Sequence, residues 1–89
     1  KYQTIECKEN SFGLKKISIK EDSVGSLVDV QFGDIYYKIK ISRNNNQIVE
    51  LANKEMDIEI KIQKDKNDVD VRLKNVIKKL KCEKSTFRM

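Results

Sequence analysis

The chain has no histidine, no tryptophan and no proline, and it has only three glycines in 89 residues. Without histidine it lacks the commonest general base and the commonest zinc ligand. The scattered glycines form no phosphate-cradling loop. Aromatic residues make up only 7% of the chain, too few to build the platforms on which enzymes stack sugars. The composition therefore argues against an enzyme, and we expect no catalytic residue, no cofactor and no metal site.

The remaining polar residues form no motif that carries chemistry. A serine or cysteine nucleophile would need a lysine or a carboxylate as its base, and no GxSxG turn is present. Acidic pairs such as Asp57 and Glu59 lie two residues apart, which is typical of the solvated face of a strand. Residues 65–68 are similar to the start of a calcium loop, but the glycine and the final glutamate are missing. We interpret this segment as a turn.

The size and composition indicate one small folded domain over residues 1–89. Hydrophobic residues make up 38% and charged residues 37% of a chain of 10.4 kDa. The isoleucines and valines recur too regularly for a disordered chain. No apolar run approaches the roughly 18 residues that a membrane span needs.

Alternation of apolar and polar residues is the clearest signal. Residues 28–32, 37–42 and 56–63 alternate with period two, which predicts strands with one solvated face. Gly33 and Asp34 separate two such runs and predict a hairpin. Short strands with polar breaks between them predict an all-β fold, a small antiparallel meander closed as a barrel or folded into two packed sheets. The predicted strands cover residues 2–8, 14–20, 27–32, 35–42, 47–52, 56–63, 69–73 and 76–82.

The segment from 68 to 84 allows a second interpretation. Val69, Leu73 and Leu80 also match helical spacing, so an amphipathic helix could replace the last hairpin. We prefer the hairpin because residues 69–73 alternate cleanly and because a helix would turn Cys82 away from the apolar stripe.

The same alternation predicts which side chains form the core, since a slip of one residue would bury a row of charges. The predicted core consists of Ile5, Ile17, Ile19, Val28, Val30, Phe32, Tyr37, Ile39, Ile41, Val49, Leu51, Met56, Ile58, Ile60, Ile62, Val71 and Leu80.

The two cysteines indicate a compartment. Cys7 lies in the first apolar segment and Cys82 in the last, where one disulfide would tie the ends of the domain together. The alternative is two buried reduced thiols. The chain begins with lysine rather than methionine, which indicates either a processed product, from which a leader was removed, or a sequence trimmed to a mature start. Together these features predict an exported protein, whether periplasmic, secreted or held at the cell surface.

The net charge of +5 favours anionic partners. Tyr36, Lys38 and Lys40 are predicted to point outward from one strand, and Lys79 and Lys81 from the last strand. We predict that any binding surface lies around Tyr36, Lys38 and Lys40, where an aromatic side chain adjoins closely spaced cations. A patch that combines all five residues would be one basic binding face. Outward lysines also protect strands against aggregation, which is the alternative explanation of the pattern.

The layout of the chain resembles a known family in outline. Tyr2 and Cys7 open the first strand, a meander follows, and Cys82 closes the last strand. This outline is similar to that of the small exported bacterial β-barrels that inhibit C-type lysozymes. The resemblance implies a barrel fold and a lysozyme partner. The family's Ser-Gly-x-x-Tyr loop and its tryptophan are absent, so no inhibitory residue is carried over to this chain.

Taken together, these features predict a non-catalytic exported binding domain whose partner is a protein or an anionic cell-surface polymer. The alternatives are a lysozyme-inhibitor-like barrel and a module that binds single-stranded nucleic acid.

Overall fold

The computed structural model describes residues 2–87 and shows eight antiparallel strands that close into a barrel. Each strand pairs with its neighbour in sequence, and β1 pairs with β8 to close the sheet. No helix in the described residues is long and apolar enough to cross a membrane. The strands are β1 (Tyr2–Cys7), β2 (Leu14–Ile19), β3 (Leu27–Phe32), β4 (Ile35–Asn44), β5 (Ile48–Asn53), β6 (Ile58–Gln63), β7 (Asp68–Leu73) and β8 (Val76–Phe87).

The predicted all-β class is confirmed, and of the two proposed arrangements the barrel is the one formed. The helical alternative for the last segment is wrong. β7 and β8 form a hairpin around a turn at Lys74, which adopts the left-handed conformation with φ of 56°. The physical reason is closure, because a helix in place of β8 would leave the edges of β1 and β7 without hydrogen-bond partners.

A disulfide lies on the seam that closes the barrel. Cys7 and Cys82 are directly opposite each other in the register of β1 and β8, and their sulfur atoms are bonded. The predicted disulfide is therefore present, and it connects residues 75 positions apart.

Aliphatic side chains fill the barrel, as the alternation predicts. Most of the predicted core is buried, but Phe32, Tyr37 and Met56 are only partly buried and pack against the core from its edge. Leu14 is buried without having been predicted, because a bulge between Leu14 and Lys16 shifts the alternation of β2. Val69 and Cys82 are also buried. The full core is Ile5, Leu14, Ile17, Ile19, Val28, Val30, Ile39, Ile41, Val49, Leu51, Ile58, Ile60, Ile62, Val69, Val71, Leu80 and Cys82.

The two ends of the barrel are built differently. At one end, which we call the capped end, the loop between β1 and β2 crosses towards other strands and its Phe12 packs against the core. The Gly33 amide donates to the Gly13 carbonyl at 2.8 Å, and the Lys78 ammonium donates to Ser11 Oγ at 2.5 Å. Gly13 adopts a φ of +74°, which an L side chain rarely takes. The other end, with the β2–β3, β4–β5 and β6–β7 loops, we call the open end.

Candidate functional site

The predicted basic face does not form one patch. β4 carries Tyr36, Lys38 and Lys40, whereas β8 carries Lys79 and Lys81. These strands are four positions apart in a closed barrel of eight, so they lie on opposite sides of the molecule. The prediction of a single combined face is wrong because barrel closure separates two strands that an open arrangement could bring together. The five residues belong to two surfaces.

On the first surface, charges of a neighbouring strand weaken the basic character of β4. Tyr36 is 67% exposed, as its outward position predicts. Lys38 donates from its Nζ to Asp29 Oδ1 at 2.7 Å, and Asp29 is its register partner on β3. Lys40 lies opposite Leu27 and Ala52, and within the described residues it has no ion pair. This surface therefore presents one unpaired lysine and, four residues before it on the same strand, an exposed aromatic ring.

The second surface is a groove between the β1–β2 loop and β8. It encloses about 440 Å³ and is open to solvent. We call it the lysine groove, and its residues are Lys8, Glu9, Asn10, Ser11, Lys78, Lys79, Leu80 and Lys81.

Four ammonium groups and one carboxylate give the lysine groove a positive charge. Lys81 pairs with Asp68 at 2.5 Å. Within residues 2–87, Lys8, Lys78 and Lys79 have no carboxylate oxygen within 4 Å. Because these three charges are not neutralised by close contacts, the groove attracts anions.

Contacts at the capped end hold the groove in shape. Besides its bond to Ser11, the Lys78 ammonium lies 5.9 Å from the centre of the Phe12 ring, within the range of a cation–π interaction. Asn10 organises the loop, since its Oδ1 accepts from the amides of Phe12 and Leu14 at 3.1 and 3.2 Å. One wall of the groove is therefore tied to the barrel.

The sequence analysis identified Lys79 and Lys81 but not Lys8 or Lys78. Lys8 follows the end of β1 and is far from β8 in sequence. Lys78 has the same alternation as the buried residues Leu80 and Cys82, yet it is exposed. The predicted disulfide is the sequence feature that could have identified Lys8 as a neighbour of β8. Pairing Cys7 with Cys82 places the neighbouring residues side by side, and the Lys8 amide indeed donates to the Lys81 carbonyl at 3.1 Å.

The ion pair with Asp68 limits the availability of the Lys81 ammonium to an anionic ligand. The hydrogen bond from Lys81 is the main cause that lowers the pKa of Asp68, and the charges of Lys81, Lys79 and Lys66 act in the same direction. The carboxylate form is therefore favoured in the folded protein, and protonation of Asp68 breaks its pair with Lys81.

We predict that the Asp68→Asn variant loses less stability in acid than the parent does. The folded-state pKa of Asp68 lies below its unfolded value, so the stabilising contribution is present above the ordinary aspartate pKa and is lost as pH falls through the folded value. Urea unfolding at neutral pH and at about pH 2 measures this. The parent should be the more stable protein at neutral pH, and the difference should shrink in acid. A difference that does not depend on pH would contradict the assignment.

The residues 2–87 contain no group of three or more histidine, cysteine, aspartate or glutamate side chains arranged to hold a metal ion. The two cysteines are bonded to each other. No family model, no curated protein and no solved structure matches this chain.

Proposed function

We propose that this protein is a non-catalytic binding domain that holds an anionic polymer in the lysine groove. The observation that carries the proposal is the concentration of four lysines around one glutamate in an open groove. Three of these lysines have no carboxylate within 4 Å in the described structure. A groove that is open to solvent suits a chain-like ligand, which need not be enclosed in order to bind.

The lysines of the groove suit a ligand that carries a row of negative charges. Lys79 and Lys81 alternate on one face of β8, so their Cα atoms are about 6.6 Å apart along the strand. Lysine binds anions as a flexible point charge, whereas planar bidentate recognition is the property of arginine. The groove contains no aromatic side chain on which bases could stack. This favours an anionic cell-surface polymer over single-stranded nucleic acid.

We also propose that the domain is exported. A disulfide persists in oxidising compartments and is rare in the cytosol. The bond between Cys7 and Cys82 is compatible with such a compartment. An anionic polymer at the cell surface would be available to the protein there.

The test compares two double variants that remove the same charge from opposite sides of the barrel. Lys8→Gln with Lys79→Gln removes two unpaired cations from the lysine groove. Lys38→Gln with Lys40→Gln removes two lysine charges from the β4 surface, of which only that of Lys40 is unpaired. Binding to heparin, a sulfated polymer, is measured over a range of salt concentrations. We expect the groove variant to bind heparin more weakly than the parent. Its dependence of log K on log salt should also be less steep, by about two in slope. The β4 variant should bind almost as the parent does.

A further variant should increase binding. Asp68→Asn releases Lys81 from its ion pair, so we expect tighter binding of heparin than in the parent.

Equal losses of heparin binding in the two double variants would mean that only the net charge matters. A loss confined to the β4 variant would move the site to Tyr36, Lys38 and Lys40. Tighter binding of an oligothymidylate than of heparin would favour the nucleic-acid alternative. Inhibition of a C-type lysozyme without binding of heparin would favour the inhibitor alternative.

A further inference from the structure

The open end of the barrel contains a second cavity, which shares no lining residue with the lysine groove. It encloses about 560 Å³, which lies within the usual range for sites that bind small molecules. Its floor is aliphatic and consists of Ile19, Val49 and Ile62, each no more than 5% exposed. Because the core beneath these side chains is filled, a ligand can lie on the floor but cannot enter the barrel. We call this cavity the mouth.

One lysine of the mouth points inward. Lys84 follows Leu80 and Cys82 on the inner face of β8 and lines the mouth. Its ammonium donates to the carbonyls of Gln63 and Lys66, in the second case at 2.5 Å. An ammonium has three hydrogens, so one donor remains for a ligand. Within the described residues no carboxylate lies within 4 Å of this ammonium.

Hydrogen bonds between loops shape the mouth before any ligand binds. Asn44 Nδ2 donates to the Asp22 carbonyl at 2.6 Å, and the Lys64 ammonium donates to Asn44 Oδ1 at 2.6 Å. These bonds connect the β2–β3 loop, the end of β4 and the loop after β6. A rim that is already ordered costs little entropy when a ligand binds.

Charges of both signs surround the mouth. Lys20, Lys64 and Lys84 line the mouth together with the carboxylates of Glu21 and Asp22. Both carboxylates belong to exposed residues of a loop, where water screens their charge. Lys84 is half-buried, and burial is the main cause that lowers its pKa, so its charge is solvated less than that of an exposed lysine. The charges of Asp65 and Asp68 also act on Lys84 and oppose an anion there. Within the described residues neither carboxylate lies within 4 Å of the ammonium, so its third N–H is left for a ligand.

We propose that the mouth binds a small aliphatic carboxylate. The carboxylate accepts the free N–H of Lys84, and a short hydrocarbon chain covers the floor of Ile19, Val49 and Ile62. The lining contains no aromatic side chain, which disfavours sugars and nucleobases as ligands. The mouth shares no lining residue with the lysine groove, so either proposal can fail without the other.

The test titrates hexanoate into the isotopically labelled protein and follows the backbone amide signals by NMR. We expect saturable shifts at Ile19, Val49, Ile62 and Lys84, with a Kd on the order of 1 mM for so small a ligand. Hexylamine, which has the same chain and the opposite charge, should not produce these shifts. Acetate, which has the charge without the chain, should bind at least about tenfold more weakly, since each buried methylene contributes to affinity.

Two variants test the role of Lys84. Lys84→Met keeps an unbranched apolar side chain and removes the charge, and we expect at least a tenfold loss of affinity for hexanoate. Lys40→Met makes the same change at an exposed position of β4 that lines neither the mouth nor the lysine groove, and it should bind hexanoate as the parent does.

Three results would overturn the proposal: no saturable shift at the mouth, equal shifts with hexylamine, or unchanged affinity in a folded Lys84→Met protein. If Lys84→Met fails to fold, the comparison of hexanoate with hexylamine in the parent decides the matter.

Discussion

Replacing both cysteines, Cys7→Ser with Cys82→Ser, is expected to lower the free energy of unfolding by about 4.5 kcal/mol. The bond connects residues 75 positions apart, so it greatly restricts the unfolded chain. Domains of this size are stable by only about 4 to 13 kcal/mol. The loss is therefore a large fraction of the total, and the variant should be partly unfolded under mild conditions. Urea unfolding of the parent and the variant, followed by circular dichroism, measures the difference.

The reduced parent provides the control for this experiment. It should unfold at nearly the same urea concentration as the double serine variant, because both lack the same cross-link. A loss below about 1 kcal/mol in the variant would contradict the stabilising role, since the chain-entropy estimate for so long a loop is much larger. Alkylation of the unreduced, unfolded protein followed by mass measurement tests the bond itself. Two added labels would show that the cysteines are free and would remove the main support for export.

Replacing Ile60 with alanine is expected to cost about 2 to 5 kcal/mol. Ile60 is fully buried and lies between Leu51 and Val71 in the registers of β5, β6 and β7. Truncation removes apolar contacts and leaves a cavity that the surrounding strands, held in a closed sheet, can fill only partly. Urea unfolding gives the change in stability.

The neighbouring residue provides a matched control for this core variant. Glu59 points outward from the same strand and pairs with Arg72 at 3.2 Å on the surface. Glu59→Ala should change stability by less than about 1 kcal/mol, because exposed ion pairs contribute little. Comparable losses in the two variants would show that the assignment of inner and outer faces in β6 is wrong.

Strand positions could be predicted from the sequence because the period of two is a local property. Residues on a strand alternate between faces whatever the rest of the chain does, so β3 and most of β6 follow directly from the pattern. The ends of strands depend on pairing. The last strand was predicted to stop at residue 82 but continues to Phe87, because β1 supplies partners as far as Tyr2. Residues 83–87 lack the apolar alternation that would have indicated this.

β6 is shorter than predicted, whereas β8 is longer. Residues 56 and 57 continue the alternation, yet β6 begins at Ile58. Asp57 adopts a φ of 53°, which belongs to a turn and not to a strand. The geometry of the hairpin between β5 and β6 therefore decides where the strand begins.

The sequence by itself determined the strand faces, the position of the disulfide in the terminal strands and the excess of cations. Only the tertiary structure decided which cations share a surface. Closure of the barrel separates Lys38 and Lys40 from Lys79 and Lys81, and the seam between β1 and β8 brings Lys8 to the latter pair. Asp29 neutralises Lys38 from the adjacent strand. The physical reason is that the field at a surface sums charges from neighbouring strands and loops, and the pattern along one strand contains no information about those neighbours.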